Sequence, residues 1–124
     1  MNTFLQPGDT PKDFAAAQKL SNLLFTCQSR DVANLRIAQN IPTWRYFYSG
    51  DWPNLSAGPG TGAWHSAEIP IVFGTVESLS GSKNTEEENK VMSTMMHAWA
   101  EFARDPDNGL KKLGWPVWEQ NSTF

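Results

Sequence analysis

One of the two histidines in this chain, His65, has the surroundings expected of a residue that does chemistry. It follows a glycine-rich loop and precedes a short apolar run, so that residues 62–74 read GAWHSAEIPIVFG. The unperturbed pKa of imidazole lies near neutrality, so a histidine can take and return a proton within one turnover. Loops carried by a rigid scaffold are a common place for such residues. His65 is therefore the candidate acid–base group, and a purely structural loop histidine is the alternative.

The other titratable and metal-binding residue types form no second candidate site. His97 lies in a predicted helix, and no Cys, Asp or second His stands at ligand spacing from it. The acidic run Glu86–Glu88 is typical of a helix start, and the methionines at 92, 95 and 96 are typical of core packing. We therefore expect no metal site.

The element predicted most clearly is a long helix that begins after Thr85. Thr85 can cap the first turn while Glu88 reaches back to the cap, and residues 91–103 present a broad apolar face before Asp105-Pro106 ends the helix. Two earlier helices are predicted, one from Pro11, capped by Thr10, to about Leu24, and one from a Ser29 cap to a point before Pro42.

The core strand is predicted at Thr43–Tyr48, where β-branched and aromatic residues lie between Pro42 and Gly50. The glycines and prolines of residues 49–62 predict a loop. Ile69–Phe73 is apolar, and Pro70 limits it to a short strand or one helical turn. Residues 78–82 are predicted to be a polar surface link, and residues 115–118 an extended tail.

Length, composition and charge limit the possible functions. The chain has 124 residues, of which 40% are hydrophobic and 19% charged, as in ordinary globular proteins. A net charge of −3 without a basic run makes nucleic acid and anionic membranes unsuitable partners, and no apolar run is long enough to span a membrane. The first 20 residues lack the pattern of a signal peptide. Two Asn-x-Ser/Thr tripeptides, at Asn54 and Asn121, mildly favour a secreted parent protein, so the compartment stays open.

Several segments, in one order and at compact spacing, resemble the C-terminal portion of the type-B carboxylesterase/lipase family, the cholinesterase-like branch of the α/β-hydrolases. They are WRYFY from Trp44, GDWPNL from Gly50, GAWHSAEIP from Gly62, VFG from Val72 and WAEFARDP from Trp99. The resemblance covers about residues 14–118 and is strongest to fungal-type members.

The single cysteine, Cys27, is predicted to be a buried free thiol. It corresponds to a position that often forms a disulfide in secreted members, but Gln28 replaces their proline and the chain holds no partner cysteine.

The resemblance implies an α/β fold in which residues 1–124 are an incomplete domain: a C-terminal fragment of an α/β-hydrolase, mostly helical, with one core strand and a histidine-bearing loop. It implies that His65 is the base of a Ser-His-acid triad acting on carboxylic esters without a cofactor. Glu68 is a candidate for the hydrogen bonds that hold the loop, and the orienting acid of the triad is expected from another segment.

The chain contains no Gly-x-Ser-x-Gly nucleophile elbow and no HisGlyGly-type oxyanion loop. We therefore expect the isolated chain to be inactive, and whether it is itself an enzyme stays open. The alternatives are a non-catalytic, tryptophan-rich binding module, marked by exposed Trp44, Trp52 and Trp64, and an inactive remnant. The ester substrate and the oligomeric state are not predicted.

Overall fold

The computed structural model describes residues 11–58 and 61–120, and within them every regular element is a helix. The described residues fall into two compact units. The first unit contains residues 46–116, and the second contains the described residues before 46 and after 116. The helices are α1 (Pro11–Ser21), a π-helical turn (Asn22–Thr26), α2 (Cys27–Ala38), α3 (Ile69–Phe73), α4 (Val76–Ser80), α5 (Glu86–Arg104) and α6 (Gly109–Lys112).

In the second unit, the two predicted helices are joined by the π-helical turn without a break. The predicted boundary at Ser29 is therefore wrong. The Ser29 hydroxyl donates to the carbonyl of Thr26 inside the helix, and it accepts a hydrogen bond from Arg45, as that carbonyl also does. Because the hydroxyl is used in this way, it does not cap a new helix. The chain leaves α2 through Asn40, which has a φ of 57°, a conformation that asparagine tolerates better than most residues. The predicted cap Thr10 lies outside the described residues.

The tail of the chain belongs to this unit through Trp118, which is buried. Its backbone N–H donates to the carbonyl of Thr43, and its indole N–H donates to the side chain of Asn34. The guanidinium of Arg45 stacks over its ring, 4.5 Å from the centroid. Burial, followed by the nearby charge of Arg30, lowers the pKa of Arg45. Arg45 remains a cation that holds the tail and the π-helical turn together.

The core strand predicted at Thr43–Tyr48 is not found, because residues 41–52 have no regular secondary structure. A strand needs a neighbouring strand to complete its ladder of hydrogen bonds. The described part of the chain contains no other strand, so this β-prone segment has nothing to pair with. The mostly helical part of the fold prediction is confirmed.

The first unit is organised by α5, which begins with the predicted capping box. The Thr85 hydroxyl accepts from the backbone N–H of Glu88, and the Glu88 carboxylate accepts from the backbone N–H of Thr85. Met95 and Ala98 are buried on the predicted apolar face of the helix. The helix ends before Asp105, as predicted.

The core of this unit lies between α5 and the two short helices that precede it. Ile71 of α3 and Val76 of α4 are completely buried, and they form one cluster with Leu55 and Met95. Ile69–Phe73 is thus the helical turn that the sequence left as one of two alternatives. The predicted polar link at residues 78–82 is partly helical, since α4 extends through Ser80.

Both units carry large apolar side chains on their surfaces. In the second unit, Leu23 and Leu35 are 63% and 70% exposed. In the first unit, Phe47 and Phe73 are 68% and 71% exposed. No helix among the described residues is both long enough and apolar enough to cross a membrane.

Candidate active site

His65 is exposed and lies in a tight turn of the first unit. The backbone N–H of Ala67 donates to the carbonyl of Trp64 at 3.0 Å, so His65 and Ser66 are the two central residues of this turn. Ser66 has a φ of 74°. A positive φ at the second central position is the mark of a type II turn, which usually places glycine there. The backbone at His65 therefore follows a defined turn. The positive φ of Ser66 in this turn is unfavourable for an L-residue and must be maintained by the surrounding structure.

The residue before the histidine is tied to the core. The indole N–H of Trp64 donates to the carbonyl of Leu55 at 2.7 Å. The Leu55 side chain is buried in the core cluster, and its backbone N–H donates to the carbonyl of Trp52. The indole of Trp52 in turn donates to the hydroxyl of Tyr48 at 2.9 Å. A side chain on Gly50 would collide with this last pair, since its Cβ would lie 2.6 Å from the Trp52 nitrogen.

The residues after the histidine are also held. Ala67 is only 3% exposed, and the carbonyl of Ser66 accepts from the backbone N–H of Ile69. From there the chain enters α3, whose Pro70 and Ile71 are buried. His65 is thus an exposed residue between two segments that are held by hydrogen bonds and burial.

Glu68, the sequence-predicted neighbour, is half-buried directly before α3. Its negative charge acts on two tyrosines of the same unit, Tyr46 and Tyr48. Burial, and after it the charge of Glu68, raises the pKa of Tyr46. For Tyr48, burial is again the largest cause of a raised pKa, and the charges of Glu88 and Glu68 add to it. The charge of Glu68 therefore acts on two aromatic side chains of the first unit, and its role in holding the loop stays a prediction.

Two buried or half-buried polar side chains of the first unit, Glu88 and Asn54, were not singled out as site residues from the sequence. Glu88 is completely buried, and its Oε1 has no hydrogen-bond partner among the described residues. Asn54 donates its side-chain N–H to Asn84 at 3.0 Å. The capping-box pattern locates Glu88 in the sequence, but it does not reveal that the carboxylate is buried.

Two other sequence candidates, His97 and Cys27, lie on helices of the first and the second unit, respectively. His97 is exposed on α5, with its Nε2 3.9 Å from a carboxylate oxygen of Glu101. Cys27 is half-buried rather than buried. Within residues 11–58 and 61–120, no group of three or more His, Cys, Asp or Glu side chains is placed to hold a metal ion. Trp44, Trp52 and Trp64 are half-buried, so the exposed tryptophans that would mark a binding module are not observed.

The known proteins that this chain resembles are esterases and lipases. A sequence model of the carboxylesterase family matches residues 8–124. Secreted lipase 5 of Gibberella zeae is 40% identical over 94 residues, which are 76% of this chain and 17% of that protein. Chlorogenic acid esterase of Aspergillus niger is 32% identical over 118 residues, which are 83% of this chain and 23% of that protein. Para-nitrobenzyl esterase of Bacillus subtilis is 27% identical over 84 residues, which are 65% of this chain and 17% of that protein. No solved structure matches significantly.

The chain thus spans between a sixth and a quarter of the length of these relatives. The family match covers nearly all of it, including the turn that carries His65. Two of the three relatives are fungal proteins, as the resemblance predicted. The chain belongs to the carboxylesterase family.

Proposed function

We propose that this chain is the C-terminal segment of a carboxylic ester hydrolase and that His65 is the base of its Ser-His-acid triad. The observation that carries the proposal is the exposed His65 turn, anchored on both sides by buried residues, in a chain that belongs to the carboxylesterase family. An acid–base group must be reachable by its reaction partners while its backbone is fixed. Both conditions are met at His65.

In the proposed reaction, a serine hydroxyl from a preceding segment attacks the ester carbonyl carbon while His65 accepts the hydroxyl proton. His65 then donates this proton to the departing alkoxide, which leaves as an alcohol. Water, deprotonated by His65, attacks the carbonyl carbon of the resulting acyl-serine. The carboxylic acid then leaves as the bond to the serine oxygen breaks, and His65 returns the proton to that oxygen. A carboxylate from another part of the hydrolase orients the imidazole. The proposed substrate class is carboxylic esters.

The surface of the first unit supports a place within a larger domain. Phe47, Phe73 and Leu79 are each more than two-thirds exposed. A separate small protein rarely leaves so many large apolar side chains in water, and such surfaces usually mark contacts with other protein. The 124 residues contain no nucleophile elbow and no oxyanion loop. We propose that both belong to the part of the hydrolase that covers these apolar side chains. The 124 residues alone are therefore expected to hydrolyse no ester.

The first test is made on the protein in its source organism. An extract is treated with a fluorophosphonate probe, which labels activated serines, and the intact mass of the chain that carries residues 1–124 is recorded. A labelled chain several times heavier than 13.9 kDa is the expected result. A native chain near 13.9 kDa that does not react would refute the proposal and would leave the binding module or the inactive remnant.

The second test concerns His65 itself. In the labelled full-length chain, the substitution His65→Ala should lower the kcat for p-nitrophenyl acetate by about a thousandfold or more, since triad residues act as a unit. The matched control is His97→Ala, which replaces the exposed histidine on α5 and should leave kcat unchanged. Wild-type activity of the His65 variant would remove His65 from the triad.

A further inference from the structure

The hydrogen bond from the Trp64 indole to the Leu55 carbonyl directly links the histidine turn to the core of the first unit. The donor and acceptor are 2.7 Å apart, which is short for an N–H···O bond. Trp64 is half-buried and immediately precedes His65 in the chain. A contact that restrains Trp64 therefore also restrains the backbone nitrogen of His65, to which Trp64 is bonded.

The acceptor of this bond cannot easily move. The Leu55 side chain is 8% exposed and packs with Ile71, Val76 and Met95. Its backbone N–H is bonded to the carbonyl of Trp52 at 3.0 Å. Core positions of this kind have little freedom, because close packing leaves no space for displacement. The indole is thus bonded to a fixed point.

The Trp64 carbonyl closes the turn on its other side. It accepts the Ala67 N–H at 3.0 Å, and Ala67 is buried. The turn also holds Ser66 at a φ of 74°, a conformation that an L-residue leaves unless the surroundings maintain it. The hydrogen bond between Ala67 and Trp64 therefore contributes to maintaining the backbone conformation at His65.

From these contacts we infer that Trp64 is a positioning residue for the proposed base, and that its indole N–H sets the orientation of His65 through the turn. This inference rests on the proposed function of His65. Trp64 does not touch the reacting atoms in this role. Loss of its hydrogen bond lets the turn relax, and a displacement of about 1 Å in a catalytic group costs up to about a hundredfold in rate.

The test uses the full-length chain that carries this segment and the substitution Trp64→Phe, which keeps an aromatic ring and removes the N–H donor. The matched control is Trp118→Phe, which removes an indole hydrogen bond of the same kind, to Asn34 at 2.9 Å, in the second unit. With p-nitrophenyl acetate, Trp64→Phe should lower kcat about ten- to a hundredfold and change KM by less than about twofold. The rate of fluorophosphonate labelling should fall in parallel. Trp118→Phe should lower the Tm at least as much and leave both rates near the wild-type values.

Three results would count against the inference. Equal kcat values for Trp64→Phe and wild type would overturn it, and so would equal losses in Trp64→Phe and Trp118→Phe, since the effect would then be one of general stability. Rapid solvent exchange of the Trp64 indole proton in the unmodified protein, measured by NMR, would also overturn it without any substitution. The His65→Ala variant separates the two proposals. Loss of activity in His65→Ala with none in Trp64→Phe overturns the positioning role alone, whereas full activity in His65→Ala refutes the function on which it rests.

Discussion

Replacing Ser66 by glycine should stabilise the protein, although it removes a side chain. Ser66 has a φ of 74°, in the left-handed region, where an L-residue costs about 1–2 kcal/mol. Its carbonyl accepts from the N–H of Ile69, and a glycine would keep this backbone bond. The change therefore releases strain without removing a hydrogen bond that the structure shows for the side chain.

This gain in the free energy of unfolding is partly offset by a change in the conformational entropy of the unfolded chain. A glycine leaves the unfolded chain more conformations to lose on folding, which costs about 0.4–1 kcal/mol. The difference predicts that Ser66→Gly raises the free energy of unfolding by up to about 1.6 kcal/mol, with a central value of about 0.8 kcal/mol. Ser66→Ala is the matched control, because it removes the hydroxyl but keeps the Cβ that causes the strain. It should stay within about 0.5 kcal/mol of the wild type.

The assay is urea unfolding of the full-length chain, followed by tryptophan fluorescence and analysed for the midpoint at constant m-value. Stabilisation by glycine but not by alanine would establish that the strain resides in the backbone of the turn. If alanine stabilises as much as glycine, the hydroxyl rather than the φ angle is unfavourable, and the reasoning is refuted. If glycine destabilises by more than about 1 kcal/mol, flexibility dominates and the turn is not strained.

Two further predictions concern the first unit. Thr85→Ala removes the hydroxyl that accepts from the backbone N–H of Glu88, so it should lower the free energy of unfolding by about 0.5–2 kcal/mol, and Thr85→Ser should recover most of this loss. Urea unfolding measures both, and an unchanged midpoint for the alanine variant would contradict the capping role. Lys112 lowers the pKa of Asp105 below its ordinary value of 3.8 through a 2.8 Å hydrogen bond. A depressed carboxyl pKa stabilises the fold above the ordinary pKa, and this contribution is lost as pH falls through the lower folded value. As the pH is lowered below about 4, the free energy of unfolding should therefore decrease less steeply in Lys112→Met than in the wild type. Parallel stability curves for the two proteins would contradict this assignment.

The features that the sequence predicted correctly are those with local causes. The capping box at Thr85 and Glu88 and the stop at Asp105 each depend on residues within a few positions of one another, and all are present. The motif around His65 is likewise contiguous in the chain, and the catalytic role that it indicates stays a prediction. Local chemistry is sufficient for such elements.

The errors have non-local causes. The predicted strand at Thr43–Tyr48 depends on a neighbouring strand that the described chain does not supply. The helix boundary at Ser29 is absent because Arg45, 16 residues later, donates to the hydroxyl. The bond from Trp64 to Leu55 joins residues nine positions apart across a loop, and no periodic pattern reveals it. Tertiary contacts decide each of these features, so a reading of local patterns could not predict them.

The π-helical turn at Asn22–Thr26 has a consequence for how this helix varies among related chains. A π turn holds one residue more than the α-helical turn that it replaces. A helix can accommodate one additional residue in such a turn while the segments on both sides keep their orientation. Deleting one residue here should restore a regular α-helix, whereas deleting one residue within α2 would rotate everything beyond the deletion by about 100°. Gains and losses of one residue among relatives are therefore expected to concentrate at this turn.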